Sequence, residues 1–205
     1  MAKSKSSNDK GWQITAYIAI AVIVVSLLVI GMRLTGYAVE GTGIVNVSVD
    51  PTAAINFTTN FINFGNGSVN AGSANAILQS NDTAAVNGGW NWNVPQNFTV
   101  ENIGNVNVIL DLKTNKTAAE FIGGTSPEYQ YSISVNESEA TSCNTTIIFN
   151  QWYTVNTISS GDNICSNFSF ADAHDQLEIS VRLVIPSDSL TGNFTDTFTA
   201  TATAL

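Results

Sequence analysis

Ala16 to Met32 is a run of seventeen residues in which Ser26 alone is polar. As a helix rising about 1.5 Å per residue, some twenty residues match a hydrocarbon layer of about 30 Å, and extending the run back to Gly11 supplies that length. Trp12 and Tyr17 lie near one end, where amphipathic rings suit a membrane interface. Lys3, Lys5 and Lys10 precede the run, so the positive-inside tendency keeps the N-terminus cytoplasmic and sends the rest of the chain outside. The expected organisation is a basic cytoplasmic N-terminus (1–11), an uncleaved signal-anchor helix (12–35), a glycine-rich tether GYAVEGTG (36–43) and one extracellular domain (44–205), all in a single-pass cell-membrane protein. Secretory cleavage is the competing expectation, since Gly36-Tyr37-Ala38 satisfies the small-residue rule at −3 and −1.

Charge narrows the partners. The chain has 7 Lys and Arg against 16 Asp and Glu. Four of the basic residues (Lys3, Lys5, Lys10 and Arg33) flank the apolar run. Only Lys113, Lys116 and Arg182 remain beyond it, against fifteen acids, a net of −12. Nucleic acid is excluded as a partner, because its affinity rests on cationic side chains meeting phosphates. The lipid bilayer, further copies of the chain and envelope glycans are the expected partners.

Beyond the tether the apolar residues recur with period two. In QLEISVRLVIP, Leu177, Ile179, Val181, Leu183 and Ile185 share one face, while Glu178, Ser180 and Arg182 share the other. The same register runs through NFTVEN (Phe98, Val100), NVNVILDL (Val106 to Leu112) and EYQYSISV (Tyr129 to Val135). Further strands are expected over 43–49, 55–64, 145–155, 164–170 and 193–203, with a short one over 76–79 and a turn or two of helix over 117–122. Many short strands punctuated by Asn, Gly and Pro predict an all-β fold: an antiparallel immunoglobulin-like or jelly-roll-like β-sandwich preceded by one N-terminal transmembrane α-helix.

The polar faces carry N-x-[ST] sequons at Asn46, Asn56, Asn66, Asn81, Asn97, Asn115, Asn136, Asn144, Asn167 and Asn193. That is roughly twice the number the composition alone would give, and glycosylation at such a motif requires an exposed site in an exported chain. Asn46, Asn97, Asn136 and Asn193 fall opposite the apolar residues of their expected strands. The bland alternative is that abundant Asn builds turns and a soluble surface. Cys143 and Cys165, the only two cysteines, are expected to form a disulfide, which agrees with an oxidising compartment.

No cofactor and no enzymatic activity are expected. His174, the one histidine, lies beside Asp172 and Asp175 in FADAHDQLE, but there is no G-x-S-x-G elbow to accompany it. Asp172 and Asp175 are calcium candidates, since hard cations take carboxylate oxygens, although the full calcium-loop pattern is missing. Trp90 and Trp92 in GGWNWNVP are two apart and would point the same way on an extended segment, a candidate platform for sugar rings.

Two resemblances follow from particular segments. FTVENIGNVNVILDLKT and LEISVRLVIPSDSLTGNFTDTFTATATA resemble the strand-turn-strand and final-hairpin pattern of exported surface β-sandwiches, including the TasA/camelysin group of matrix-fibre proteins and related archaeal envelope proteins. That resemblance implies an envelope or fibre role with subunits joined by strand addition, and carries over no catalytic residue. DKGWQITAYIAI resembles the start of archaeal pilins and archaellins, with Lys10 and Gly11 at the cut, but with Trp12 following and without the glutamate of that pattern. The expected function is therefore a membrane-anchored, glycosylated cell-surface protein with a structural or adhesive role. A pilin-like or archaellin-like filament subunit and a carbohydrate- or ion-binding surface module stand as alternatives, and an exported hydrolase using His174 as a remote one.

Overall fold

The computed structural model describes residues 8–34, 45–92, 94–135, 141–144 and 147–205. It separates into an N-terminal unit and a compact unit, Val49–Leu205. In the first, Asn8–Leu34 forms helix α1, 27 residues long. Its stretch Gly11–Leu28 has a mean hydropathy of 2.0 and is long and apolar enough to cross a membrane. The side chains of that stretch are exposed on every face, a pattern that suits lipid and not water. Its two hydroxyls are answered within the helix, Thr15 Oγ1 donating to the Gly11 carbonyl at 2.8 Å and Ser26 Oγ to that of Val22 at 2.7 Å.

The second unit consists of β1 (Ile55–Thr59), β2 (Asn75–Gln79), β3 (Phe98–Asn102), β4 (Val108–Thr114), α2 (Ala118–Phe121), β5 (Glu128–Ser134), β6 (Cys143–Asn144), β7 (Tyr153–Thr154), β8 (Asp162–Phe168), β9 (Gln176–Pro186) and β10 (Phe198–Ala204). The strands form two antiparallel sheets. One runs β1-β3-β9-β5-β7, with β2 also on β9, and the other runs β10-β4-β8-β6. β9 is the spine of the first: β3 pairs with its beginning (Leu177 to Val100) and β2 with its end (Leu183 to Leu78), on the same edge.

Both sheets feed one apolar cluster. Leu78, Val100, Ile133, Leu177 and Ile179 come from the first sheet, and Val108, Leu110, Leu112, Ile164 and Phe168 from the second. Rings cross between them at one edge, where Phe198 of β10 lies 5.2 Å from Phe98 and 5.7 Å from Tyr129. The expected alternation therefore describes β3 and β4 well and β5 and β9 along part of their length, but not β8, where the neighbours Ile164 and Cys165 are both buried and the register against β4 shifts. α2 sits inside the expected 117–122, and its capping box explains it: Thr117 Oγ1 accepts from the Glu120 N–H while Glu120 returns a carboxylate to the Thr117 N–H. The N–H and hydroxyl of Thr117 hold the Glu120 carboxyl below the usual carboxylate range.

Two expected strands are corrected. Val45 to Val49 is not a strand despite its alternation, and residues 43 and 44 lie outside the described residues. Of the 145–155 run, only Tyr153–Thr154 pairs; Asn150 adopts φ 61, a left-handed turn that interrupts the extended chain, and residues 145 and 146 lie outside the described residues.

The entrance to this unit is clamped by the Asn102-Ile103-Gly104-Asn105 turn between β3 and β4. The Thr52 N–H donates to Asn105 Oδ1 at 2.6 Å, the Asn105 N–H to the Thr52 carbonyl at 3.1 Å, and Asn105 Nδ2 to the Asp50 carbonyl at 3.0 Å. A Cβ on Gly104 would overlap the Thr52 carbonyl oxygen, so the close approach requires glycine. Asn102 anchors the turn from below, its amide donating to the carbonyls of Val106 and Phe168 and thereby tying β3 to β8.

Candidate functional site

Five strands have a single strand neighbour; one of them, β2, is covered on its other side by the Ile77–Val86 bridge. β6 and β7 contain two residues each, and β1 has five with an irregular register between Phe57 and Thr59. β10 differs from all of them: seven residues, FTATATA, pair with β4 without interruption from Phe198–Thr114 to Ala204–Val108. The Leu205 N–H donates to the Asn107 carbonyl, which sets the phase of that ladder. Residues 199, 201 and 203 then bond to β4, and Phe198, Ala200, Ala202 and Ala204 turn their N–H and C=O groups to the free edge. Phe198, Ala200 and Ala202 pack on the core, while Thr201 and Thr203 are exposed. No charge, proline or bulge interrupts β10, the devices by which sheet edges are commonly blunted.

A second unpaired feature complements it. Val45, Val47 and Val49 alternate with Asn46 and Ser48 and are 91%, 85% and 75% exposed. Were this segment extended, the three valines would share one side as an apolar face; among the described residues it pairs with no strand of its own chain.

Nine of the ten sequon asparagines lie within the described residues, Asn136 being outside them. Asn46, Asn56, Asn66, Asn81, Asn115, Asn144, Asn167 and Asn193 are exposed. Asn46 and Asn193 occur outside strands, not within them as their alternation suggested. Asn144 and Asn167 are direct partners across β6 and β8.

Asn97 is the exception. It sits half-buried where the partner of β9 changes from β2 to β3. Its Oδ1 accepts from Ser80 Oγ at 3.0 Å and Ser180 Oγ at 3.1 Å, and its Nδ2 faces Glu178 Oε2 at 3.4 Å. Ser80 Oγ in turn accepts the Val181 N–H at 2.8 Å, and the Ser80 N–H donates to the Val181 carbonyl. This knot corrects two expectations: Asn97 is half-buried with its amide engaged, and Ser180 on the supposedly wet face of β9 is only 4% exposed. At the gap between two collinear strands, Ser80 takes up the backbone groups of Val181 and Asn97 accepts from the hydroxyls of Ser80 and Ser180.

The tryptophans do not form a platform. Trp92 is 6% exposed, edge-on to Phe64 at 5.1 Å, with its Nε1 donating to the Asp82 carbonyl. Trp90 is half-buried over Gly67 and Gly88, where an added Cβ would strike its ring. Both rings close the excursion between β2 and β3. Asp172 is exposed and Asp175 buried, with the Asp175 carbonyl accepting the Asn102 N–H. His174 belongs to the same tight turn, its N–H donating to the Ala171 carbonyl. Among the described residues no group of three or more His, Cys, Asp or Glu side chains is arranged to hold a metal ion.

Cys143 and Cys165 form a disulfide between β6 and β8, with Cα atoms 5.8 Å apart. The basic residues of the β unit are engaged internally: Arg182 with Gln130 and Glu128, Lys116 Nζ with the Thr195 carbonyl at 2.6 Å, and Lys113 Nζ with that of Ser159 at 3.5 Å. Compared with protein-family models, curated proteins and solved structures, the chain matches none.

Proposed function

We propose that this chain is a membrane-anchored, glycosylated cell-surface protein whose acidic β-sandwich, of immunoglobulin-like or jelly-roll-like kind, has a structural or adhesive role and joins to further copies by strand addition. β10 carries this reading. A regular, uncharged seven-residue edge strand offers a complete row of backbone donors and acceptors, the arrangement that β-augmentation uses. The Val45 to Val49 segment of a neighbouring copy is the fitting donor, being alternating in pattern, with its valines exposed, and unpaired in its own chain among the described residues. α1 in the bilayer, with the N-terminus cytoplasmic, would present donor and acceptor on the same side of the membrane. The disulfide supports an oxidising location.

The test is cross-linking of the full-length chain in membranes, comparing the wild type with a Thr201→Lys, Thr203→Lys variant. Both side chains are exposed on the outer face of β10, so the fold should persist while the edge acquires the charges that discourage pairing. Loss of cross-linked oligomers at unchanged thermal stability is expected. Oligomers that persist undiminished in this variant overturn assembly through β10.

A further inference from the structure

The sequons are not equivalent in the fold, and we infer that Asn115 and Asn193 are paired N-glycan sites at the end of the β unit farthest from where the chain enters it, while Asn97 carries no glycan. This rests on the glycoprotein reading above and specifies where the sugar sits. The entering chain is held at Asp50 and Thr52 by Asn105, three residues before β4. β4 then runs from Val108 to Thr114, about 20 Å at the rise of a strand, and Asn115 follows at its far end. The 193–196 loop is tied to the same place: Lys116 Nζ donates to the Thr195 carbonyl, the Lys116 N–H to Asp196 Oδ2 at 3.3 Å, and Phe198 pairs with Thr114. Asn115 and Asn193 are both exposed and lie in turns, outside any sheet ladder.

The chemistry separates them from Asn97. Transfer from a lipid-phosphate-linked oligosaccharide forms a bond between the side-chain amide nitrogen and the anomeric carbon. The anomeric C–O bond to phosphate breaks, the phosphate leaves with its electron pair, and the amide gives up one proton to the transferase. At Asn115 and Asn193 a sugar attached before folding projects into solvent in the folded chain, since both side chains are exposed. At Asn97 neither order works. After folding, the amide is half-buried with Nδ2 against Glu178, and the following residues Phe98 and Thr99 lie in β3 between β1 and β9. Before folding, a sugar on Nδ2 would have to be seated beside Ser80 and Ser180, both nearly fully buried.

The experiment is glycopeptide mapping by mass spectrometry of the full-length chain isolated from its native membrane, together with intact masses of Asn115→Gln, Asn193→Gln and Asn97→Gln variants. Sugar at Asn115 and Asn193, a loss of one glycan mass in each of those two variants, and a bare Asn97 are expected. If the Asn97→Gln variant fails to accumulate, the wild-type map still decides the matter. Sugar at Asn97, or bare Asn115 and Asn193 beside occupied sequons elsewhere, overturns this assignment and leaves the glycoprotein reading standing. A chain with no sugar at any sequon overturns both.

Discussion

Replacing Asn97 with alanine removes the acceptor shared by Ser80 Oγ and Ser180 Oγ, and the magnitude can be worked from their surroundings. Ser80 is fully buried and Ser180 nearly so, and each hydroxyl loses the partner to which it donates. A buried polar group left unsatisfied costs about 1–3 kcal/mol, so two together predict a loss of about 2–6 kcal/mol, the lower half applying if water reaches the vacated space. For a domain of this size each kcal/mol corresponds to about 2–4 °C in Tm. The assay is thermal unfolding of the full-length chain in detergent, followed by near-ultraviolet circular dichroism, where the buried Trp92 reports on packing. A drop on the order of 10 °C is expected. The companion variant Ser180→Ala removes one donor and leaves Asn97 bonded to Ser80, so it should cost less than half as much. A Tm for Asn97→Ala within 1 °C of the wild type would refute the reasoning, because it would mean that the knot contributes nothing to joining β2 and β3 on β9.

Two further perturbations test other parts of the fold. The disulfide closes a loop of 22 residues, for which chain entropy predicts about 3 kcal/mol, so a Cys143→Ala, Cys165→Ala variant should show a lower urea midpoint, with a somewhat larger m-value because the unbridged denatured chain exposes more surface; an unchanged midpoint contradicts this. Burial first, then the carboxylates of Asp196 and Asp162 respectively, pushes the phenols of Tyr129 and Tyr131 well above the ordinary tyrosine range. A raised folded pKa gives stability that is present below the unfolded value of about 10 and is lost as pH rises beyond it. Urea midpoints should therefore fall steeply above that pH in the wild type and less steeply in Tyr131→Phe, and equal slopes would refute the assignment.

What was legible in the chain was whatever alternation and pairing decide together. β9 and β5 read correctly because each alternates over a long stretch and lies inside a sheet, so that one face is forced into the core. Val45 to Val49 alternates equally well, yet alternation reports only that an extended segment has an apolar side. A strand needs a neighbour, and in a single copy the described residues supply none. The 145–155 run differs for another reason: one left-handed residue, Asn150, is enough to end a strand, and although Asn favours that conformation, asparagines are so frequent in this chain that the residue type alone does not mark the break. The sequon at Asn97 was placed opposite the apolar residues, but the partner change along β9 from β2 to β3, which buries that face, depends on contacts between residues 80, 97 and 180. No local pattern encodes it. For the tryptophans, spacing suggests a common exposed face, whereas glycines at 67 and 88 open the space into which Trp90 packs and Trp92 is buried against Phe64.

The strand edge and the sugar sites constrain each other. Asn193 lies five residues before β10, and Asn115 immediately follows the β4 residue that pairs with Phe198, so both occupy the same end of the β10 ladder. If the proposed sites carry sugar, it would crowd the Phe198 end of the edge and leave the Ala204 end open. That open end is the one nearer to the Asp50 clamp, since Leu205 bonds to Asn107, two residues from Asn105. A neighbouring Val45 to Val49 segment, which directly precedes Asp50 in its own chain, would then approach along the entry side of the acceptor. Removing sugar should leave the Ala204 end unaffected and widen access at the Phe198 end. On this reasoning an Asn115→Gln, Asn193→Gln chain retains cross-linking between copies and gains alternative registers, seen as new cross-link positions nearer Phe198, whereas loss of all cross-linking would mean that the glycans themselves, and not β10, hold the copies together.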